Sequence, residues 1–134
     1  MIEVVAAIIK NQEEEILIAK RKEGKVLAGF WEFPGGKVEE GEEPEISLQR
    51  ELLEEMNLQI QVEAYYATNI HDYGNIKIKL IAYLAKILMG DMQLKDHDEV
   101  LWIKPQELQN YVFAPADVPF VKQLIEETNI DVRP

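Results

Sequence analysis

GKVEEGEEPEISLQRELLEEMNL, residues 36–58, holds more acid than a stable helix favours. Pro44 suits a first helical turn, and the segment 44–56 reads as a helix. At 3.6 residues per turn, Ile46, Leu48, Leu52, Leu53 and Met56 fall on one side, and Ser47, Arg50, Glu51, Glu54 and Glu55 on the other. Glu51 precedes Glu54 and Glu55 by three and four residues, so the three carboxylates converge. Like charges at those spacings cost roughly 0.2–0.5 kcal/mol per pair. Acids in a last turn also oppose the helix dipole. A solvated acidic face is the plain alternative. Against it stand the further acids Glu39, Glu40, Glu42, Glu43 and Glu45, and a Gly35-Gly36 turn where backbone can closely approach phosphate or metal. Departures from local stability rules tend to mark functional sites. A divalent cation such as Mg²⁺, which takes carboxylate, water and phosphate oxygens, is the compensation that fits.

Outward from this helix, the remainder reads as one domain over residues 1–134. IEVVAAIIK (2–10) is β-branched and strand-like, and ILIAKRK (16–22) reads as its hairpin partner across the polar turn NQEEE. Residues 23–29 form a loop. Strands are expected over 62–72, 76–89 and 100–103, a short helix over KPQELQNY, a proline-punctuated loop over FAPADVPF, and a closing helix over VKQLIEETN. Interleaved strands and helices predict an α/β sandwich with a mixed sheet.

Composition narrows the function classes. Twenty-five acidic against 14 basic side chains give a net charge of −11, which repels nucleic-acid polymers and anionic membranes. A small polyphosphate remains a suitable partner when metal ions lie between it and the protein. With no cysteine there is no disulfide framework, zinc–thiolate site or thiol nucleophile. The N-terminus lacks a basic leader and no apolar run spans a bilayer, so the cytoplasm is the expected compartment. Monomer and homodimer are both compatible with the sequence.

Residues 36–58 resemble the Nudix box, G-x5-E-x7-R-E-U-x-E-E-x-G-U, where U is a bulky aliphatic residue. Gly36, Glu42, Arg50, Glu51, Leu52, Glu54, Glu55 and Leu58 match, and Asn57 replaces the last glycine. That position ends a helix at positive φ, where Asn is the usual second choice. The resemblance implies a Nudix-type α/β/α sandwich and hydrolysis of a nucleoside diphosphate linked to a further group. Glu51, Glu54 and Glu55 are then metal ligands, with the Gly35 carbonyl as a further ligand. The cofactor is Mg²⁺, with Mn²⁺ as the alternative. Glu51 orients or deprotonates the attacking water, Arg50 holds the carboxylates, and Glu42 stabilises the loop–helix junction. An acid from outside the box often completes the site: Asp96 is the first candidate, with Asp98 and Glu99 as alternatives, while His97 reads as a loop residue.

MIEVVAAII, GFWEFPGGKVE and FAPADVPFV extend the resemblance to the MutT branch, and more closely to bacterial CTP pyrophosphohydrolases. By that resemblance Arg21 contacts substrate; together with Lys20, Lys22, Lys25 and Lys37 it offsets the acidic surface near the phosphates, and a solvated strand end is the other reading of the cluster. Asp117 reads a base carrying an amino group, cytosine or guanine, or else caps the helix that follows. Phe33 stacks on the base or fills core, and Trp31 fills core or packs a subunit contact. Three functions follow in order: a pyrophosphohydrolase of CTP, dCTP or modified pyrimidine triphosphates; the same chemistry on 8-oxo-dGTP; and a non-catalytic nucleotide-binding module.

Overall fold

The computed structural model describes residues 1–131. Strands β1 (Ile2–Ile9), β2 (Ile16–Arg21), β3 (Trp31–Glu32) and β4 (Gly35–Lys37) precede helix α1 (Pro44–Met56). Then come β5 (Gln59–Asp72), β6 (Lys77–Met89), β7 (His97–Ile103), two short 3₁₀ turns (Pro105–Asn110 and Pro115–Asp117), and α2 (Val118–Asp131). Among the described residues the strands form two sheets. The larger is mixed, in the order β4-β1-β6-β5: β1 runs parallel to β6, and the other pairs are antiparallel. The smaller is antiparallel, in the order β3-β2-β7.

The unbroken apolar run of β1 is explained by burial on both faces. Val5, Ala7 and Ile9 join Leu48, Leu52 and Met56 of α1 in one core. Ala6 and Ile8 face the other way, into a second core with Phe120, Val121 and Leu124 of α2. The sheets thus lie between two helices, an α/β/α sandwich as expected. The hairpin expectation is corrected. A Lys10–Ile16 bridge closes the NQEEE turn, after which β1 and β2 diverge into different sheets. A polar turn between two apolar strands does not show which neighbours each strand will pair with.

Three other expectations need revision. On α1, Ile46 and Leu53 are exposed and Ser47 is buried. The apolar side of the helical wheel is wider than the sheet it covers, so its flanks reach solvent. Residues 97–99 are not loop: β7 begins at His97, which pairs with Arg21 across a bulge in the β2–β7 ladder. α2 likewise starts at Val118, three residues before the expected apolar run.

Helix α1 ends as its sequence requires. Asn57 adopts φ 57°, ψ 35°, and its N–H closes on the carbonyl of Leu53 at 3.0 Å. The freed carbonyls of the last turn are then taken by residues beyond β6. Gln93 N–H donates to Met56 O at 3.0 Å and Lys95 N–H to Glu55 O at 3.3 Å. These bonds dock the segment before β7 against the acidic end of α1.

The burial difference on α1 gives a direct test. Leu52 is 1% exposed and Leu53 48%. Leu52→Ala should cost about 2–5 kcal/mol of stability, and Leu53→Ala less than about 1 kcal/mol, read by urea denaturation. Equal losses would contradict the orientation of the helix.

Candidate active site

The acidic face of α1 is organised by one cation. Arg50 Nε and Nη2 donate to the two oxygens of Glu42 at 2.9 and 3.0 Å, a bidentate fork. Its Nη1 donates to Glu51 at 3.0 Å and Glu54 at 3.1 Å, and Nη2 also reaches the Lys37 carbonyl at 3.2 Å. Glu42 further accepts from the Ser47 hydroxyl and from Glu39 N–H, closing the loop that enters the helix. The Arg50 hydrogen bonds, with help from Ser47, hold Glu42 down to about 2. Those carboxylates in turn push the Arg50 guanidinium further up.

Gly35 lies against β1 and Gly36 against this helix for steric reasons. A Cβ at Gly35 would collide with the Val5 carbonyl, and one at Gly36 with the Glu51 carboxylate. Only glycine lets strand β4 come this close to Glu51.

On the far side of Glu51, Glu55 is partly buried and lies beside both Glu51 and Asp96. Burial first, and then the Glu51 charge, push the Glu55 carboxyl up to about 8. Asp96 is drawn the other way, chiefly by its 2.9 Å ion pair with Lys25. Of the three acids considered before Trp102, Asp96 alone has this contact with Glu55. Asp98 accepts from Glu23 N–H at 3.0 Å, fixing the loop after β2, and Glu99 is exposed opposite Lys20. Among the described residues no three His, Cys, Asp or Glu side chains stand gathered at ligand spacing. Arg50 draws Glu51 and Glu54 to one side, and Lys25 draws Asp96 to another. The donor set still fits a hard divalent cation: carboxylate oxygens in excess, with Glu55 crowded enough to disfavour its own charge.

A second group of polar residues lies where β2, β3 and β7 meet. Arg21 Nη1 donates to Glu32 Oε1 at 2.9 Å, and His97 Nε2 to Glu32 Oε2 at 2.9 Å. Asp117 is 5% exposed and accepts from Phe33 N–H at 3.0 Å. Burial, then the nearby Glu32 charge, raise the Asp117 carboxyl well above its ordinary range. The cap expectation for Asp117 is therefore corrected: its carboxylate turns inward to β3, away from the start of α2. Phe33, expected as a stacking candidate, is placed in the core against Phe113, with centroids 5.3 Å apart, and contributes its backbone N–H here. Trp31 is core, edge-on to Tyr111. Lys37 is exposed beside the Arg50 cluster.

The NUDIX domain family model matches residues 4–123. The chain belongs to the Nudix family of hydrolases. It is 39% identical over 122 residues to a CTP pyrophosphohydrolase of Escherichia coli, covering 91% of this chain and 90% of the relative. It is 33% identical over 129 residues to an 8-oxo-dGTP diphosphatase of Haemophilus influenzae, covering 96% and 95%. Among solved structures, that of the E. coli ORF135 protein superposes with a TM-score of 0.82 at 35% identity, over all of this chain and 95% of the other. The Nudix hydrolases are divalent-metal-dependent enzymes. Among the described residues, no helix of this one is long and apolar enough to cross a membrane.

Sequence reasoning about this Nudix chain brought Glu51, Glu54, Glu55 and Arg50 to one helix face and missed Glu32 and His97. The available signal was Glu32 itself: a lone acid between Trp31 and Phe33 in an apolar stretch needs a partner.

The Glu42 contacts carry a pH signature. A carboxyl lowered from 4.5 to about 2 contributes stability that is complete above pH 4.5 and lost as pH falls towards 2. Glu42→Gln should therefore be less stable than the parent at pH 6, with the gap narrowing below pH 4.5. Melting temperatures measured across that range check this; a gap that is constant with pH would refute it.

Proposed function

We propose that this chain hydrolyses nucleoside triphosphates to a nucleoside monophosphate and pyrophosphate with Mg²⁺, Mn²⁺ being the alternative ion, and favours CTP, dCTP or modified pyrimidine nucleotides. The observation that supports it most is the contact of Glu55 with both Glu51 and Asp96, with Glu51 bounded by Gly36 and held by Arg50. Similarity to the CTP pyrophosphohydrolase over nine-tenths of both chains supports the substrate class.

In this reading Glu51, Glu54 and Glu55 hold the ion, joined by Asp96 and the Gly35 carbonyl. When bound, it neutralises phosphate charge and acidifies water. Glu51 orients the attacking water and takes its proton as the water oxygen attacks phosphorus. The phosphoanhydride bond breaks, and pyrophosphate leaves with the bond's electron pair. Arg50 fixes the carboxylates throughout, so little reorganisation accompanies the charge that develops. Lys37 offsets phosphate charge, Arg21 holds Glu32 at the base end, and Lys25 keeps Asp96 ionised. Asp117, buried beside Phe33 N–H, accepts from a base amino group. That group is present on cytosine and on guanine alike. A preference for 8-oxo-dGTP is thus the second reading, favoured by the 33% identity to the H. influenzae enzyme.

The test is pyrophosphate release from a panel of canonical and oxidised triphosphates with Mg²⁺. Cation-dependent turnover with CTP or dCTP foremost is expected. Turnover of 8-oxo-dGTP far above CTP would reverse the base assignment, and no turnover of any member would leave only a binding module.

A further inference from the structure

His97 is nine-tenths buried and makes one side-chain hydrogen bond, from Nε2 to Glu32 Oε2. Among the described residues its Nδ1 has no partner. Burying an unsatisfied ring nitrogen costs stability, and an apolar side chain would fill the same space without that cost. The bond to Glu32 is what the imidazole provides that an apolar residue could not.

Glu32 is held from two sides. Arg21, on β2, takes Oε1; His97, its cross-strand neighbour on β7, takes Oε2. A carboxylate has about four acceptor positions, so one on each oxygen remains for a ligand. Glu32 is close enough to Asp117 for its charge to act on that carboxyl, and Tyr73 feels Arg21, Glu32 and Asp117 together. These four residues share one niche. His97 also follows Asp96 directly, so a single strand end carries both the acid beside Glu55 and the clamp on Glu32.

We propose that His97 is the positioning residue of the nucleobase end: it holds Glu32 so that this carboxylate, together with Asp117, accepts from the amino edge of the base. The inference rests on the nucleoside triphosphate reading above. His97 touches neither the phosphates nor the base; it acts through Glu32, and Arg21 alone leaves that carboxylate free to rotate about one anchor.

The test uses two amide variants of the full chain. In His97→Gln the amide nitrogen stands where Nε2 stood and can reach Glu32; in His97→Asn it stands near Nδ1 and cannot. Each is compared with the parent on two nucleotide pairs: dGTP with dITP, which differ by one exocyclic amino group, and CTP with UTP, in which the amino group is replaced by a carbonyl and N3 gains a hydrogen. The expected result is a parent kcat/KM preference for the amino member that falls about tenfold in His97→Asn, the worth of one good hydrogen bond. KM should carry more of the change than kcat, and His97→Gln should recover most of the preference. Binding of CMP against UMP reads the same ratio without hydrolysis, so failure of the hydrolase reading stays distinguishable from failure of this one. A parent without the preference would overturn the proposal. So would a His97→Asn variant that keeps the preference or loses kcat equally for both members of a pair.

Discussion

Arg50 is the interaction on which the rest of the site depends. Its guanidinium meets Glu42 as a fork and reaches Glu51 and Glu54 with its remaining hydrogens. A lysine, with one point charge on a flexible stem, could not span those partners in a fixed plane. Through Glu42 the same cation closes the loop from β4, and through Lys37 O it ties that strand to the helix. Repulsion that would fray an acidic helix is thereby redirected into holding it.

The second constraint is the docking of residues 91–96 onto the C-terminus of α1. Asn57 ends the helix in a left-handed conformation, and its side-chain amide donates to Asp91 O at 3.0 Å. Gln93 and Lys95 satisfy carbonyls that would otherwise lack donors. An ordinary helix-ending device thus carries Asp96 to Glu55 across 41 positions of chain. The same strand then delivers His97 to Glu32, so the start of β7 joins the Glu51–Glu55 face of α1 to the Arg21–Glu32 pair.

Much of this was legible in the sequence because it is local. The Glu51, Glu54 and Glu55 spacing follows from helical periodicity, and the positive φ of Asn57 from its place after the last helical turn. What was not legible depends on pairing between distant segments. β2 was read as the partner of β1 because they are adjacent; their divergence is set by cores on either side of the sheets. Asp117 resembled a cap because a helix follows it, yet Phe33, 84 residues away, claims its carboxylate. Glu32 and His97 matter only as a pair 65 residues apart. Neither carries a motif by itself.

The metal assignment is tested most directly by the kcat of Glu54→Gln with Mg²⁺ at saturating triphosphate. Glu54 is exposed, with its side chain 60% accessible where it meets Arg50, so the substitution should leave the fold intact. If its carboxylate holds the ion, kcat falls by orders of magnitude while the melting temperature stays near that of the parent. Near-normal turnover would contradict the assignment.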